Sequence, residues 1–148
     1  MWNEINTKED LTQFLDEMGY FHDSCVKELH YYSGAYVKEN LAMHPINDHR
    51  SLKVVIQRQW KTHSMIEMEF LELKGLRLFP ADEGYTCEIL DATVILKDGD
   101  VYWCDCGGLE ETDLDTYAGT WIRASKLRWR SIKGHMGAEP FYKPDHMG

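Results

Sequence analysis

Apolar and polar residues alternate with period two along residues 88–106. Leu90, Ala92, Val94 and Leu96 interleave with Ile89, Asp91, Thr93 and Ile95, which is the signature of a strand. Asp98-Gly99 follows, and Val101, Tyr102 and Trp103 run on from it. Asp-Gly between alternating apolar runs predicts a hairpin with a two-residue turn. That register sets Lys97 opposite Asp100, Thr93 opposite Cys104 and Asp91 opposite Cys106. Near the start of the chain the period is helical. Leu11, Phe14, Leu15 and Met18 fall at i, i+3, i+4 and i+7, one apolar stripe. Thr7 suits the N-cap, Glu9 and Asp10 suit the positive end of the dipole, and Gly19 suits a left-handed stop. The spacing predicts a helix over 8–18.

Between these lie further strand patterns. Residues 25–37 are rich in β-formers (Val26, Tyr31, Tyr32, Tyr36, Val37), with Gly34 marking a bulge. Residues 38–50, with Pro45, Asn47 and Asp48, read as a long loop at a sheet edge. A strand over 51–62 places Leu52, Val54, Ile56 and Trp60 on one face, with Arg58 as the only charge among them. After a turn at 62–64, Ile66, Met68 and Phe70 alternate with Met65, Glu67 and Glu69. The two strands are expected to pair antiparallel, each with one wet face. The apolar pattern continues over 71–78 in altered phase, with Gly75 bending the chain. Residues 120–133 read as the last strand. One leading helix, five to six strands and no βαβ alternation give an α+β fold: an antiparallel meander with the helix packed on the sheet. A two-sheet sandwich is the alternative. The domain spans 1–133, and 134–148 form a mobile or loosely docked tail, pinned by Phe141 and Tyr142.

Charge narrows the function classes. The chain of 148 residues carries a formal net charge of −9. Nucleic acids and anionic membranes are polyanions, so both are disfavoured as partners. A basic protein is favoured. Residues 98–115 hold seven acids and no Lys or Arg, whereas 120–133 hold Arg123, Lys126, Arg128, Arg130 and Lys133 and no acid. The basic strand is expected to be matched by the acidic segment before it. No secretory signal and no apolar run of about 20 residues is present, and the four cysteines read as reduced thiols. These point to the cytoplasm.

Several groupings are candidates for chemistry. Cys104 and Cys106 lie two apart in a strand and so share a face. His22 and Cys25, spaced H-x-x-C, would complete a zinc site with them if the sheet brought them together. Buried cysteines acting as small apolar core residues are the favoured alternative. His22, Asp23 and Cys25 are the candidates for acid–base or thiol chemistry. A structural role at the turn where helix becomes sheet is favoured for His22-Asp23, since Asp23 and Ser24 suit local hydrogen bonds to the backbone. His44, Asp48 and His49 form a loop cluster read as solvated. Asp113 to Tyr117 opens like a calcium loop but lacks its glycine and glutamate, and is rejected. No motif in the chain dictates a chemistry.

Phe21-His22-Asp23-Ser24-x-Val26 opening a strand, followed by a strand in which Phe70 leads to Leu73 and Gly75-Leu76, resembles small uncharacterised bacterial proteins. Some of these are grouped with immunity proteins of polymorphic toxin systems. The likeness covers about residues 20–106. It implies a cytosolic α+β binding protein and supplies no catalytic residues. Together with the acidic charge and the 12% aromatic content, it sets the expectation of a non-enzymatic domain that binds a protein, such as a basic nuclease toxin. A small zinc- or thiol-dependent enzyme and a small-molecule binder are the rivals.

Overall fold

A computed structural model describes residues 1–134 and 136–139. The elements run β1 (Asn3–Ile5), α1 (Lys8–Glu17), β2 (Ser24–Tyr32), β3 (Tyr36–Val37), β4 (Met43–His44), β5 (Ser51–Arg58), β6 (Met65–Arg77), β7 (Thr93–Lys97), β8 (Asp100–Cys104) and β9 (Trp121–Ser131). The fold is α+β: a seven-stranded antiparallel sheet in the order β2-β5-β6-β9-β8-β7, with β1 also pairing β9, a two-stranded sheet of β3 and β4, and one α-helix. β9 stands between β6 and β8, so the order is not purely sequential. The tail residues Phe141 and Tyr142 lie outside the described residues.

The helix forms where the stripe predicts. Thr7 Oγ1 accepts from the Asp10 backbone N–H at 3.0 Å, and the Asp10 carboxylate accepts from the Thr7 N–H at 3.1 Å. This reciprocal box satisfies two of the donors a helix start leaves open. Gly19 follows with φ 56°. Leu11, Phe14, Leu15 and Met18 enter the core with Leu52, Val54, Ile56, Ile66, Met68 and Phe70. Phe14 packs against Trp129 and, edge-on, against Phe21, with centroids 5.4 and 5.5 Å apart. Arg58, 2% exposed, is the charge on that apolar face. Its guanidinium donates to the carbonyls of Met18, Thr62 and His63 at 3.0, 3.0 and 2.7 Å. It thus stitches the end of α1 to the β5–β6 turn.

The β7–β8 hairpin has the expected register, Lys97 with Asp100 and Thr93 with Cys104. Asp98 and Gly99 both have positive φ (52° and 81°), as a type I′ turn requires. Pairing stops at Thr93, so residues 88–92 are not part of that ladder. They do something the local pattern does not announce. Ile89 pairs with Ser24 on β2, and Ala92 donates its N–H to the Tyr20 carbonyl at 2.8 Å. β2 and β7 are opposite ends of the strand order, so this bridge rolls the sheet until its two edges meet at one corner.

Residues 25–37 are not one strand. β2 ends at Tyr32, and its bulge falls between Val26 and Glu28, not at Gly34. Gly34 has φ 97°, and a Cβ there would strike Asp48 and His49. That glycine turns the chain into a separate hairpin arm. The β3–β4 strands pair with each other, and His49 and Arg50 donate back to the Ser33 carbonyl at the arm's base. The expected loop over 38–50 is therefore half of a hairpin. The strand from Ser51 ends at Arg58, and Trp60 lies beyond it, 39% exposed. The phase change after Phe70 falls at Glu72, which has φ 55°, and a register shift follows between Leu73 and Gly75.

The outer face of the sheet differs from expectation. Glu67 and Glu69 face outward yet are only 2% and 6% exposed. Arg130 and Arg128 reach across from β9 to meet them at 2.8 and 2.5 Å, and Ser51 donates to Glu69 at 2.7 Å. Trp2 lies over both guanidiniums, 4.3 and 4.4 Å from its ring centre. Antiparallel register builds this: His30, Lys53, Glu69, Arg128 and Glu4 lie opposite one another in sequence across five strands. Of the basic residues in β9, Arg123 does meet the acidic segment, through Asp100, at 2.9 Å. Arg128 and Arg130 pair with β6 instead. Cross-strand neighbours are set by register, not by proximity along the chain.

Candidate functional site

Phe21-His22-Asp23-Ser24 is the corner where the rolled sheet closes. Phe21 is buried and stands edge-on to Trp103, 5.9 Å between centroids. His22 Nδ1 donates to the Leu90 carbonyl at 2.7 Å. Asp23, at φ 58°, donates its N–H to Ile89 at 3.1 Å, and Ile89 donates to Ser24 at 2.7 Å. Trp60 Nε1 caps the His22 carbonyl at 2.8 Å. The Leu90 carbonyl first, then Asp23, holds the imidazolium above the ordinary histidine range. His22 Nε2 and the Asp23 carboxylate are in contact at 3.4 Å and about half exposed, while His22 Nδ1 and the Asp23 backbone N–H join β2 to residues 89–90.

The thiols fall into two places. Cys25 faces a shallow crevice with Gln57 and Glu88, close enough to Cys87 for the two to interact electrostatically. Burial pushes its thiol up from the ordinary value, as does Cys87. Cys104 is buried, and its thiol is pushed up to about 12 by burial first and then by Asp105 and Cys106. Cys106 lies past the end of β8 and is exposed. Thr93, opposite Cys104, accepts the Leu109 N–H and donates to the Cys106 carbonyl. Among the described residues no group of three or more His, Cys, Asp or Glu side chains is placed to hold a metal ion. The His22, Cys25, Cys104 and Cys106 set is thus not assembled. Raised thiols also oppose the thiolate that nucleophilic chemistry needs.

His44, Asp48 and His49 are not an idle loop cluster. His44 Nε2 meets Asp48 at 3.0 Å and stacks on Tyr36 at 4.9 Å, while His49 packs on Tyr32 at 4.9 Å. His44 first, and more weakly His49, holds the Asp48 carboxyl below the usual range. The cluster fastens the arm. Beyond it the arm exposes large apolar side chains: Tyr36, Val37, Leu41 (81%), Met43 (66%) and Ile46. Leu41, Met43 and Ile46 lie in a stretch with little else to bury, which is a signal that sequence reading could have used.

A cavity of about 740 Å³ opens beside β2. Val26, Leu29, Leu78, Phe79 and Ile89 line it with Lys27, Arg77, Glu88, Asp105 and Tyr117. Tyr117 donates to Asp105 in a short hydrogen bond. Burial and that carboxylate push the phenol well above its ordinary value. Arg77 donates to the carbonyls of Ala118 and Gly119 and lies 5.1 Å over the Phe79 ring. Residues of five separate stretches meet here, which is why no local motif marks the place. Comparison with protein-family models, with curated proteins and with solved structures returned no match.

Proposed function

We propose that this chain is a non-enzymatic, immunity-like domain that binds another protein, with the β3–β4 arm as its principal contact. The observation that carries the reading is the arm itself. A two-stranded hairpin on its own is marginal in water. This one has its base held by Gly34, Asp48 and His49 and turns Leu41, Met43, Val37 and Ile46 outward. Exposed apolar groups in one patch mark interaction surfaces, and aromatic anchors dominate interface energetics. The net charge of −9 speeds encounter with a basic partner. The enzyme alternatives draw less support: His22 Nδ1 and the Asp23 backbone N–H are engaged in closing the sheet, and the Cys25 and Cys104 thiols are pushed up.

Capture from extracts of the native host, with the intact chain and a Leu41→Asp/Met43→Asp chain as baits, tests this. The expected result is a stoichiometric protein held by the first, released at high salt, and missing from the second. Equal retention by both baits, or no retained protein, overturns it.

The 740 Å³ cavity also favours a second reading, a small-molecule binder, since its size is within the range of ligand sites.

A further inference from the structure

We propose that His22 is a pH-operated clasp on the seam where the sheet closes. Its imidazolium holds residues 88–92 against the start of β2, and the neutral ring lets that seam loosen. The inference stands apart from the protein-binding reading and does not depend on what the arm contacts.

The seam joins the two ends of the strand order through a short set of bonds. Asp23 donates to the Ile89 carbonyl at 3.1 Å, Ile89 to the Ser24 carbonyl at 2.7 Å and Ala92 to the Tyr20 carbonyl at 2.8 Å. His22 adds a side-chain tie, Nδ1 to the Leu90 carbonyl at 2.7 Å. The backbone of this corner is strained. Tyr20, Phe21 and Asp23 stand at φ 55°, 64° and 58°, a region that residues other than glycine keep only where their surroundings hold them. Weakening one tie therefore acts on a corner already inclined to open.

The chemistry of the ring sets the direction. Neutral imidazole carries one N–H and imidazolium carries two. With Nδ1 committed to Leu90, Nε2 meets the Asp23 carboxylate at 3.4 Å. There it is a bare acceptor when the ring is neutral, and a charged donor when it is protonated. The charged groups acting on the ring are all acidic: Asp23 beside it, and Asp91 and Glu88 from the segment across the seam. The Leu90 carbonyl first, then these carboxylates, hold the imidazolium above the ordinary histidine range. The clasp is therefore fully engaged below the unfolded value and is lost as pH rises through the folded one. The His22 side chain is 51% exposed, so it takes up and releases its proton without unfolding. Both sides of the seam line the 740 Å³ cavity, Cys87, Glu88 and Ile89 from one and Val26, Lys27 and Leu29 from the other. Loosening the seam thus widens that cavity.

The test follows the intact isotope-labelled chain by nuclear magnetic resonance across the histidine range. The ring protons of His22 give its midpoint, and amide exchange gives protection at Asp23, Ile89 and Ala92, with the intrinsic pH dependence of exchange divided out. Expected are a midpoint above about 6.5 and protection of those three amides falling about threefold or more as pH rises through it. Val54 and Met68 in the central strands should fall less. His22→Gln keeps an N–H for Leu90 and cannot charge, so its seam protection should stay flat. Asp23→Asn tolerates the left-handed backbone; it should lower the His22 midpoint and move the fall in protection with it. A midpoint at or below the ordinary value, protection that rises with pH, or the same fall in the His22→Gln chain would overturn the proposal. The amide spectrum of each variant verifies its fold. Should His22→Gln not fold, Asp23→Asn decides: a midpoint that moves while protection does not follow would overturn the clasp.

Discussion

The outer face of β6 and β9 and the arm beyond β2 break the ordinary rule of burial in opposite directions. On the outer face two glutamates are hidden from water, each fixed by an arginine beneath the Trp2 ring. On the arm, Leu41 and Met43 stand in water, with none of the described residues covering them. The first arrangement is complete in itself, because every buried charge there has its partner. The second is incomplete, because its apolar surface would be more stable covered. On the proposed reading, stability and binding rest on different residues, and substitutions should separate them.

The largest effect belongs to the outer face. Arg130→Met strands the Glu67 carboxylate in a nearly closed site and should cost about 3 kcal/mol, because breaking a buried pair leaves an uncompensated charge. The Glu67→Met/Arg130→Met chain should recover most of that. Urea unfolding of the three chains checks both, and an Arg130→Met loss under about 0.5 kcal/mol would make the pair ornamental. Next comes the arm's base. Gly34→Ala forces a side chain into positive φ and against Asp48, for a cost of about 1–3 kcal/mol. Amide exchange should show the loss confined to residues 33–50.

Acid separates the regions further. Asp100, 3% exposed, is held below the usual carboxylate range chiefly by the Lys74 hydrogen bond and then by Arg123. Its folded value lies below the unfolded one. Its stabilisation is therefore full above the unfolded value and lost as pH falls through the folded one. Denaturation curves of the intact chain and Asp100→Asn should differ at neutral pH and converge in acid. A difference that grows in acid would reverse the assigned sign. Leu41→Asp/Met43→Asp should shift stability least, within about 0.5 kcal/mol, since both side chains are exposed. Alkylation of the native chain should label Cys87 and Cys106 and spare Cys104, whose thiol is pushed up to about 12. Mass mapping reads that directly.

What the sequence made legible was local. The stripe from Leu11 to Met18, its Thr7 cap and the Asp98-Gly99 turn each depend on residues a few positions apart, so periodicity and turn chemistry suffice. The phase change after Phe70 was visible for the same reason. The arm was hidden by composition: Tyr36 and Val37 are β-formers, and nothing in their identity says that they pair with Met43 and His44 instead of extending β2. The rolled closure at Ser24 and Ile89, the Glu67–Arg130 pair and the cavity all join residues far apart along the chain. Glutamate in an alternating strand reads as wet, and only the register with β9 reveals an arginine waiting opposite. For the same reason the sequence pattern matches the acidic segment over 98–115 to β9 as a whole, whereas among the described residues Asp100 is the acid of that segment in an ion pair with β9.

Hydrogen exchange on the chain alone and in its captured complex tests the separation most directly. The account predicts new protection over residues 36–46, with β6 and β9 as protected as before. Protection gained around Lys53 and Glu69 on the outer face, with the arm exchanging as freely as in the isolated chain, would contradict it.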